Sequence, residues 1–297
     1  MRTLVFGAAG QVGREVRRAA WPKSFELLPL DKNDGDITDA AAIAKVVAQH
    51  RPNLVINLAA YTAVDRAESE PERVWAVNCA GAGNIAAACR ETGAPLIFLS
   101  TDYVFDGRKS KPYCEEDAVN PLNIYGRSKE AGERAVRATV DQHVILRTAW
   151  VFGAYGTNFV KTVLRLGAER PVLRIVGDQH GCPTAAADIA SALIMIARRI
   201  ERGGTDWGTF HFAGAEATTW HGFAEEIVRL ADRLGAWRGA SRPRVEQITT
   251  DQYKTAAQRP MNSKLDCRKI AAAFGISPPR WRSSLAAVVR ELTAEGR

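Results

Sequence analysis

Short apolar runs at residues 3–6, 26–30, 54–58, 96–100 and 144–146 are too brief for core helices. They alternate with longer amphipathic stretches at 11–20, 40–50, 71–92 and 128–138. A run that is apolar at consecutive positions is a strand buried on both faces. Strand–helix alternation of this kind predicts a parallel sheet with helices on each side. Right-handed crossovers then carry the loops after the strands to one carboxyl edge, where ligands bind in such sheets. The expected fold class is therefore α/β, a doubly wound parallel sheet.

Beyond Trp150 the rhythm changes. Helices are expected at 158–168, 188–202, 218–234 and 283–295, with Thr218 or Thr219 as an N-cap, and 240–263 reads as irregular. A chain of 297 residues suits one large α/β domain or two unequal lobes. The expected division is residues 1–150 for a cofactor and 151–297 mainly for a smaller substrate lobe, with segments returning to the first. No internal repeat or low-complexity tract interrupts it.

Hydrophobic residues at 46% and charged residues at 25% exclude a disordered chain. Cys79, Cys89, Cys114, Cys182 and Cys267 are scattered, as are the five histidines, so neither a disulfide framework nor a zinc site is expected. The N-terminal apolar run breaks at Gly7, and no later run approaches the roughly 20 residues of a membrane span. A cytoplasmic protein is expected. The net charge of +7 is dispersed rather than gathered in a block, so it makes no case for nucleic acid.

Gly7-Ala8-Ala9-Gly10-Gln11-Val12-Gly13 joins the first strand to the first helix. Glycines let the backbone approach a pyrophosphate, and the helix N-terminus offers free N–H groups and a positive dipole end. Position, more than the glycines themselves, makes this a dinucleotide loop. Asp31 ends the second strand where an acid can accept hydrogen bonds from an adenosine ribose, while Lys32 suits a 2′-phosphate. The pair leaves NADH and NADPH both open. Asp36-Ile37 follows in a loop where an acid can meet the adenine amino group, and Ala60-Tyr61-Thr62 lies beyond the third strand.

The fourth strand ends in Ser100-Thr101-Asp102, and Tyr125 and Lys129 follow four residues apart. On a helix that spacing puts both on one face, about 6 Å apart along the axis. A nearby ammonium is expected to lower the tyrosine pKa and make it a better proton donor, with Thr101 or Ser100 hydrogen-bonding the same substrate oxygen.

At these positions the chain resembles the extended short-chain dehydrogenases/reductases, and within them the dTDP-4-dehydrorhamnose reductase family. The resemblance runs through FGAAGQVGREV, NLAAYTAVDRAESEPE, STDYVFDG, PLNIYGRSKEAGE, RTAWVFG, NFVKTVLRL, DQHGCPT and RPMNSKL, nearly the whole chain. It implies a Rossmann-type fold and reduction of the C4 ketone of dTDP-4-dehydrorhamnose by NADPH or NADH. Tyr125 would be the proton donor, Lys129 its tuner and ribose ligand, and Thr101 the carbonyl's orienter, ahead of Ser100. Cofactor positions carried over are Gly10, Gln11, Val12, Asp31, Asp36, Ile37, Ala60, Tyr61 and Thr62; Asp102 and Trp150 match positions that line the sugar. Asn158, Lys161, Arg259, Asn262 and Ser263 are candidate holders of the nucleotide diphosphate.

Two departures stand out. Tyr61 replaces a histidine common in the family. Some members dimerise through Mg2+ held by acids; Glu15 and Glu291 match two of those positions, but the third is Ala187, with Asp188 beside it. A metal-bridged dimer is not expected, and monomer and homodimer both remain open. Related chemistries with the same catalytic pair are a ketoreductase or epimerase for another nucleotide sugar. A non-catalytic relative is a regulatory subunit of methionine adenosyltransferase.

Overall fold

The computed structural model describes residues 1–237 and 242–295. Its first half runs β1 (Arg2–Phe6), α1 (Gln11–Arg18), β2 (Glu26–Leu30), α2 (Ala40–His50), β3 (Leu54–Asn57), α3 (Val64–Ala67), α4 (Pro71–Trp75), α5 (Gly81–Thr92), β4 (Leu96–Thr101), α6 (Ile124–Thr139) and β5 (His143–Thr148). There follow β6 (Val151–Phe152), α7 (Phe159–Glu169), β7 (Val172–Val176), β8 (His180–Gly181), β9 (Thr184–Ala185), α8 (Ala186–Glu201) and β10 (Gly208–His211). The chain ends with β11 (Thr218–Thr219), α9 (Trp220–Arg233), β12 (Arg244–Ile248), α10 (Arg268–Phe274) and α11 (Trp281–Glu295).

Six strands form one sheet in the order β10-β5-β4-β3-β1-β2, every pair parallel. The chain leaves β1 toward β2 on one side and returns to β3 on the other. The switch point therefore lies between β1 and β3, where a crevice opens at the carboxyl edge. The fold is the Rossmann-type α/β sheet expected. One face packs Val12 and Val16 of α1 and Ile189 and Leu193 of α8 against Ile97 and Leu146. The other packs Ile43, Ile85 and Val136 against Phe6, Val55 and Phe98. A separate apolar cluster centred on Phe152, Val160, Phe223 and Trp281 holds the later helices together.

Several expectations change in detail. The stretch 71–92 is not one helix: α4 and α5 are joined by a π-helical turn over Ala76–Ala80. Asn78 of that turn accepts a hydrogen bond from the Tyr61 N–H (2.8 Å) and donates to the Tyr61 carbonyl (3.1 Å) and the Ser128 hydroxyl (3.0 Å). The turn thereby ties the loop after β3 to α6. The segment 240–263, read as irregular, contains β12, which pairs in parallel with β7; residues 240 and 241 lie outside the described residues. Its mixed burial gives no clean alternation for a sequence pattern to reveal. The last sheet strand, β10, is short and was missed for the same reason. All five cysteines are free. No helix among the described residues is long and apolar enough to cross a membrane.

Gly7 has φ of +77°, and a Cβ there would stand 2.5 Å from the Ala59 nitrogen. Both the left-handed backbone and the close passage of the β3 exit require glycine. Gly13 is required by contact alone: its Cβ would meet the Gly7 carbonyl oxygen at 2.3 Å. Gly7→Ala is expected to cost at least about 2 kcal/mol, because backbone rather than a side chain must move. A denaturant midpoint equal to that of the parent would contradict this account of the loop.

Candidate active site

Helix α6 begins at Asn123, whose side chain accepts from the Gly126 N–H (2.8 Å) and donates to the Gln258 carbonyl (2.7 Å). The helix starts earlier than the apolar pattern suggests and so includes Tyr125 in its first turn. Tyr125, Lys129 and Glu133 then fall at successive fours on one buried face. Glu133 is fully buried and accepts from Arg147 Nε (2.9 Å) and Nη2 (2.7 Å), Arg137 Nη1 (3.0 Å) and Ser100 Oγ (2.6 Å). Burial alone would raise its pKa; Arg147 and the other donors outweigh that and hold the carboxyl below its usual range. Ser100 thus turns its hydroxyl to the buried Glu133, whereas the Thr101 hydroxyl lies against Asp102 and Tyr125 at the end of the strand.

Lys129 Nζ donates to the Leu99 carbonyl (2.8 Å) and lies 4.0 Å from the centre of the Phe98 ring. Burial lowers its pKa to about 7, opposed only by Glu133. Burial also pushes the Tyr125 phenol up to about 12, against the pull of the Thr101 hydroxyl. The expected lowering of the tyrosine is thus reversed: removal from water dominates, and Lys129 is turned to a backbone carbonyl. Tyr125 is consequently a protonated phenol at neutral pH.

A cavity of about 700 Å³ opens at the carboxyl edge of the sheet. Gly10, Gln11, Val12 and Gly13 line one end, with Ala60 and Thr62 beside them. Thr101, Asp102, Tyr125, Lys129 and Trp150 line the other. The glycine loop and the catalytic set, far apart in sequence, therefore share one space. The loop, the open helix end and the volume of this cavity fit a nicotinamide dinucleotide.

Burial raises Asp102 to about 6. Its Oδ1 accepts from Thr101 (3.0 Å), while its Oδ2 has no hydrogen-bond partner in the protein. Trp150 adopts a left-handed backbone, φ +47°, and stacks on Trp220 with ring centres 3.6 Å apart and planes 7° from parallel. Trp220 and Phe159 also line the cavity. Neither was singled out in the sequence, where tryptophans outside a motif read as packing.

Other expected residues have partners within the chain. Asp31 Oδ1 accepts from the N–H groups of Asn33 (2.7 Å) and Asp34 (3.3 Å), in the loop where the Ala8 N–H meets the Leu30 carbonyl (3.0 Å). Asp36 Oδ1 is engaged by the Thr38 N–H (3.0 Å) and hydroxyl (2.8 Å), which lower its pKa, and Ile37 is packed under Gly81. Tyr61 does not line the cavity; its hydroxyl donates to Glu70 (3.0 Å) and its ring lies under Arg73.

Four of the candidate diphosphate holders have hydrogen-bond partners within the chain. Asn158 caps α7 and donates to Gln11 Oε1 (2.7 Å) and the Gly153 carbonyl (2.8 Å). Lys161 Nζ donates to the Ala154 carbonyl (3.2 Å). Asn262 clasps the carbonyls of Lys109 and Lys111. Ser263 is buried beside Asp102, where its hydroxyl lowers that carboxyl's pKa. Side chains that saturate neighbouring backbone carry no signal in sequence that separates them from ligands.

Arg259 is placed differently. It pairs with both oxygens of Asp65, at 2.9 and 2.6 Å, and lines a second cavity of about 580 Å³. Arg170 and Arg174 line it too, as do β7 and Tyr253. Tyr103, Phe159 and Trp220 border both cavities, so the two adjoin.

Of the acids matched to a metal, Glu291 already carries a cation. Arg18 Nη1 lies 2.6 Å from Glu291, placing a guanidinium on that carboxylate. Burial raises the Glu15 pKa, and Asp188 accepts from the Ser284 hydroxyl (2.6 Å). Among the described residues no three acids, histidines or cysteines gather to hold an ion.

The RmlD substrate binding domain family model matches residues 1–294. The chain belongs to this family. A dTDP-4-dehydrorhamnose reductase of Sinorhizobium fredii is 42% identical over 100% of this chain and 99% of its own. Among solved structures, the dTDP-4-dehydrorhamnose reductase of Clostridium acetobutylicum is 37% identical, covering 98% of this chain and 99% of its own, with a TM-score of 0.90. That of Bacillus anthracis, solved in complex with NADP, is 36% identical over 98% and 99%, with a TM-score of 0.89.

In this RmlD family member the Glu133–Arg147 pair underlies the cavity. Glu133→Gln leaves the Arg147 guanidinium buried without its counter-charge. It is expected to cost about 3–5 kcal/mol of folding free energy. Chemical denaturation checks this; a loss under about 1 kcal/mol would show that the pair is not the anchor of α6.

Proposed function

We propose that this chain reduces the C4 ketone of dTDP-4-dehydro-L-rhamnose to dTDP-L-rhamnose with NADPH or NADH. The observation that carries the reading is the single cavity that joins the glycine loop to Thr101, Tyr125 and Lys129. Close relatives named dTDP-4-dehydrorhamnose reductase over their full length support the choice of substrate. In this reading residues 1–150 chiefly hold the cofactor and 151–297 chiefly the substrate, with α8 and β10 returning to the first lobe.

The nicotinamide cofactor, when bound, supplies the hydride that C4 receives. The backbone of Gly10 to Gly13 and the N-terminus of α1 would hold the pyrophosphate, with Ala60 and Thr62 beside it, and Lys129 would hold the nicotinamide ribose. As the carbonyl electron pair moves onto O4, Tyr125 delivers its proton there, and the Thr101 hydroxyl orients that oxygen. A phenol with a pKa near 12 stays protonated until the alkoxide, a stronger base, develops. Asp102 and the Trp150–Trp220 stack hold the sugar ring. The nucleotide extends into the adjoining cavity, whose three arginines suit a diphosphate.

Tyr125→Phe is expected to lower kcat at least about 100-fold while leaving the Kd for NADPH within about twofold, since only the proton donor is removed. Undiminished turnover would exclude Tyr125 as donor. Assayed against several nucleotide-linked 4-ketosugars, the protein is expected to favour dTDP-4-dehydro-L-rhamnose at least about tenfold in kcat/KM. Equal or better turnover of another sugar would overturn the substrate assignment and leave the ketoreductase chemistry.

A further inference from the structure

Thr148 ends β5, and in the parallel register it stands beside Thr101 at the end of β4. Neighbours in register on adjacent parallel strands project to the same face of the sheet. The opposite face at this level is taken by Ser100 and Arg147, both turned to Glu133. Two threonine hydroxyls therefore stand side by side at the carboxyl edge, on the face away from α6.

Their hydrogen bonding differs. Thr101 donates to Asp102 Oδ1 (3.0 Å) and accepts from the Tyr103 N–H (3.2 Å). Thr148 is only 4% exposed, lines the main cavity, and has no hydrogen-bond partner for its Oγ1. Buried hydroxyls nearly always find a partner, and leaving one without costs about 1–3 kcal/mol. Among the described residues, only two of the unpartnered buried side-chain atoms belong to residues lining this cavity: Thr148 Oγ1 and Asp102 Oδ2. The others, on Thr3, Asn57 and Trp237, belong to residues that do not line it.

We infer that Thr148 is a ligand-contacting residue of the reductase site, its hydroxyl completing its hydrogen bonding with an amide or hydroxyl group of a bound molecule. The inference rests on the reductase reading for the identity of that molecule. Two groups reach the space between Lys129 and Trp150 in that reading, the nicotinamide carboxamide and the hydroxyls of the sugar. Both offer the same chemistry, a donor and an acceptor on a planar or ring substituent. Thr148 then sets the position of the reacting ring beside Thr101, which addresses the reacting oxygen.

The test is Thr148→Val, which keeps the branched shape and removes the hydroxyl, with Thr148→Ser as the variant that retains it. Because Oγ1 has no protein partner, Thr148→Val is expected to fold with a Tm equal to or above the parent's. Titration with NADPH and with dTDP-L-rhamnose separates the two sources. Weakening of NADPH binding by about three- to tenfold assigns the carboxamide, and a like loss confined to dTDP-L-rhamnose assigns the sugar. Thr148→Ser is expected to restore most of either loss. Parental affinity for both ligands in Thr148→Val, or a Tm drop of several degrees, would overturn the inference. Since both arms read binding, they decide the role of Thr148 even if the parent protein turned over no ketosugar, an outcome that would instead sink the reductase reading.

Discussion

The site depends on one buried ion pair. Glu133 and Arg147 meet through two hydrogen bonds between α6 and β5, and Ser100 of β4 adds a third donor to the same carboxylate. Taking two charges out of water is costly, and a pair of this kind is poor evidence of stability for its own sake. Its geometric consequence is larger. Glu133 lies one and two turns beyond Lys129 and Tyr125 on the same helical face, so anchoring it to two central strands fixes where both active groups emerge. The pair also orders the hydroxyls of β4. It holds the Ser100 hydroxyl toward α6, while Thr101, the next residue of the strand, points to the opposite face beside Asp102.

Burial sets the acid–base character of the site. Tyr125 rises and Lys129 falls for the same reason, the loss of water around the charged form, and the two shifts run in opposite directions because one group is an acid and the other a cationic base. Asp102 rises likewise, to about 6. The cavity thus holds a proton donor that stays protonated at neutral pH, a lysine near neutrality and a carboxyl that titrates just below it. Such perturbed groups converging in one cleft are the mark of chemistry rather than of structure alone.

Much of the fold was legible in the sequence because β1, β3, β4 and β5 are apolar runs buried on both faces, and the glycine loop follows β1 at once; β2, read the same way, is an edge strand and only half-buried. The catalytic pair was legible because helical spacing places Tyr125 and Lys129 together. What escaped had physical reasons. β12 and β10 are short and mixed in burial, and the π-helical turn around Asn78 serves a contact with Tyr61 that no periodicity marks. Trp220 is 70 residues from Trp150, and only the folded chain shows that the two stack. Asn158, Lys161 and Asn262 look like ligands by type, and only the folded chain shows that each also hydrogen-bonds a nearby carbonyl. The sign of the Tyr125 shift was misjudged because sequence gives spacing and not burial.

The central claim is that one cavity brings a hydride donor and the Tyr125 proton to a single sugar carbon and its oxygen. Its most direct test is to incubate the protein with dTDP-4-dehydro-L-rhamnose and NADPH deuterated at nicotinamide C4, and to locate the label by NMR. Stereospecific appearance of deuterium at C4 of dTDP-L-rhamnose, with one NADPH oxidised per sugar, is the result expected. Deuterium at another sugar carbon, or ketosugar left unreduced with both NADPH and NADH, would contradict it.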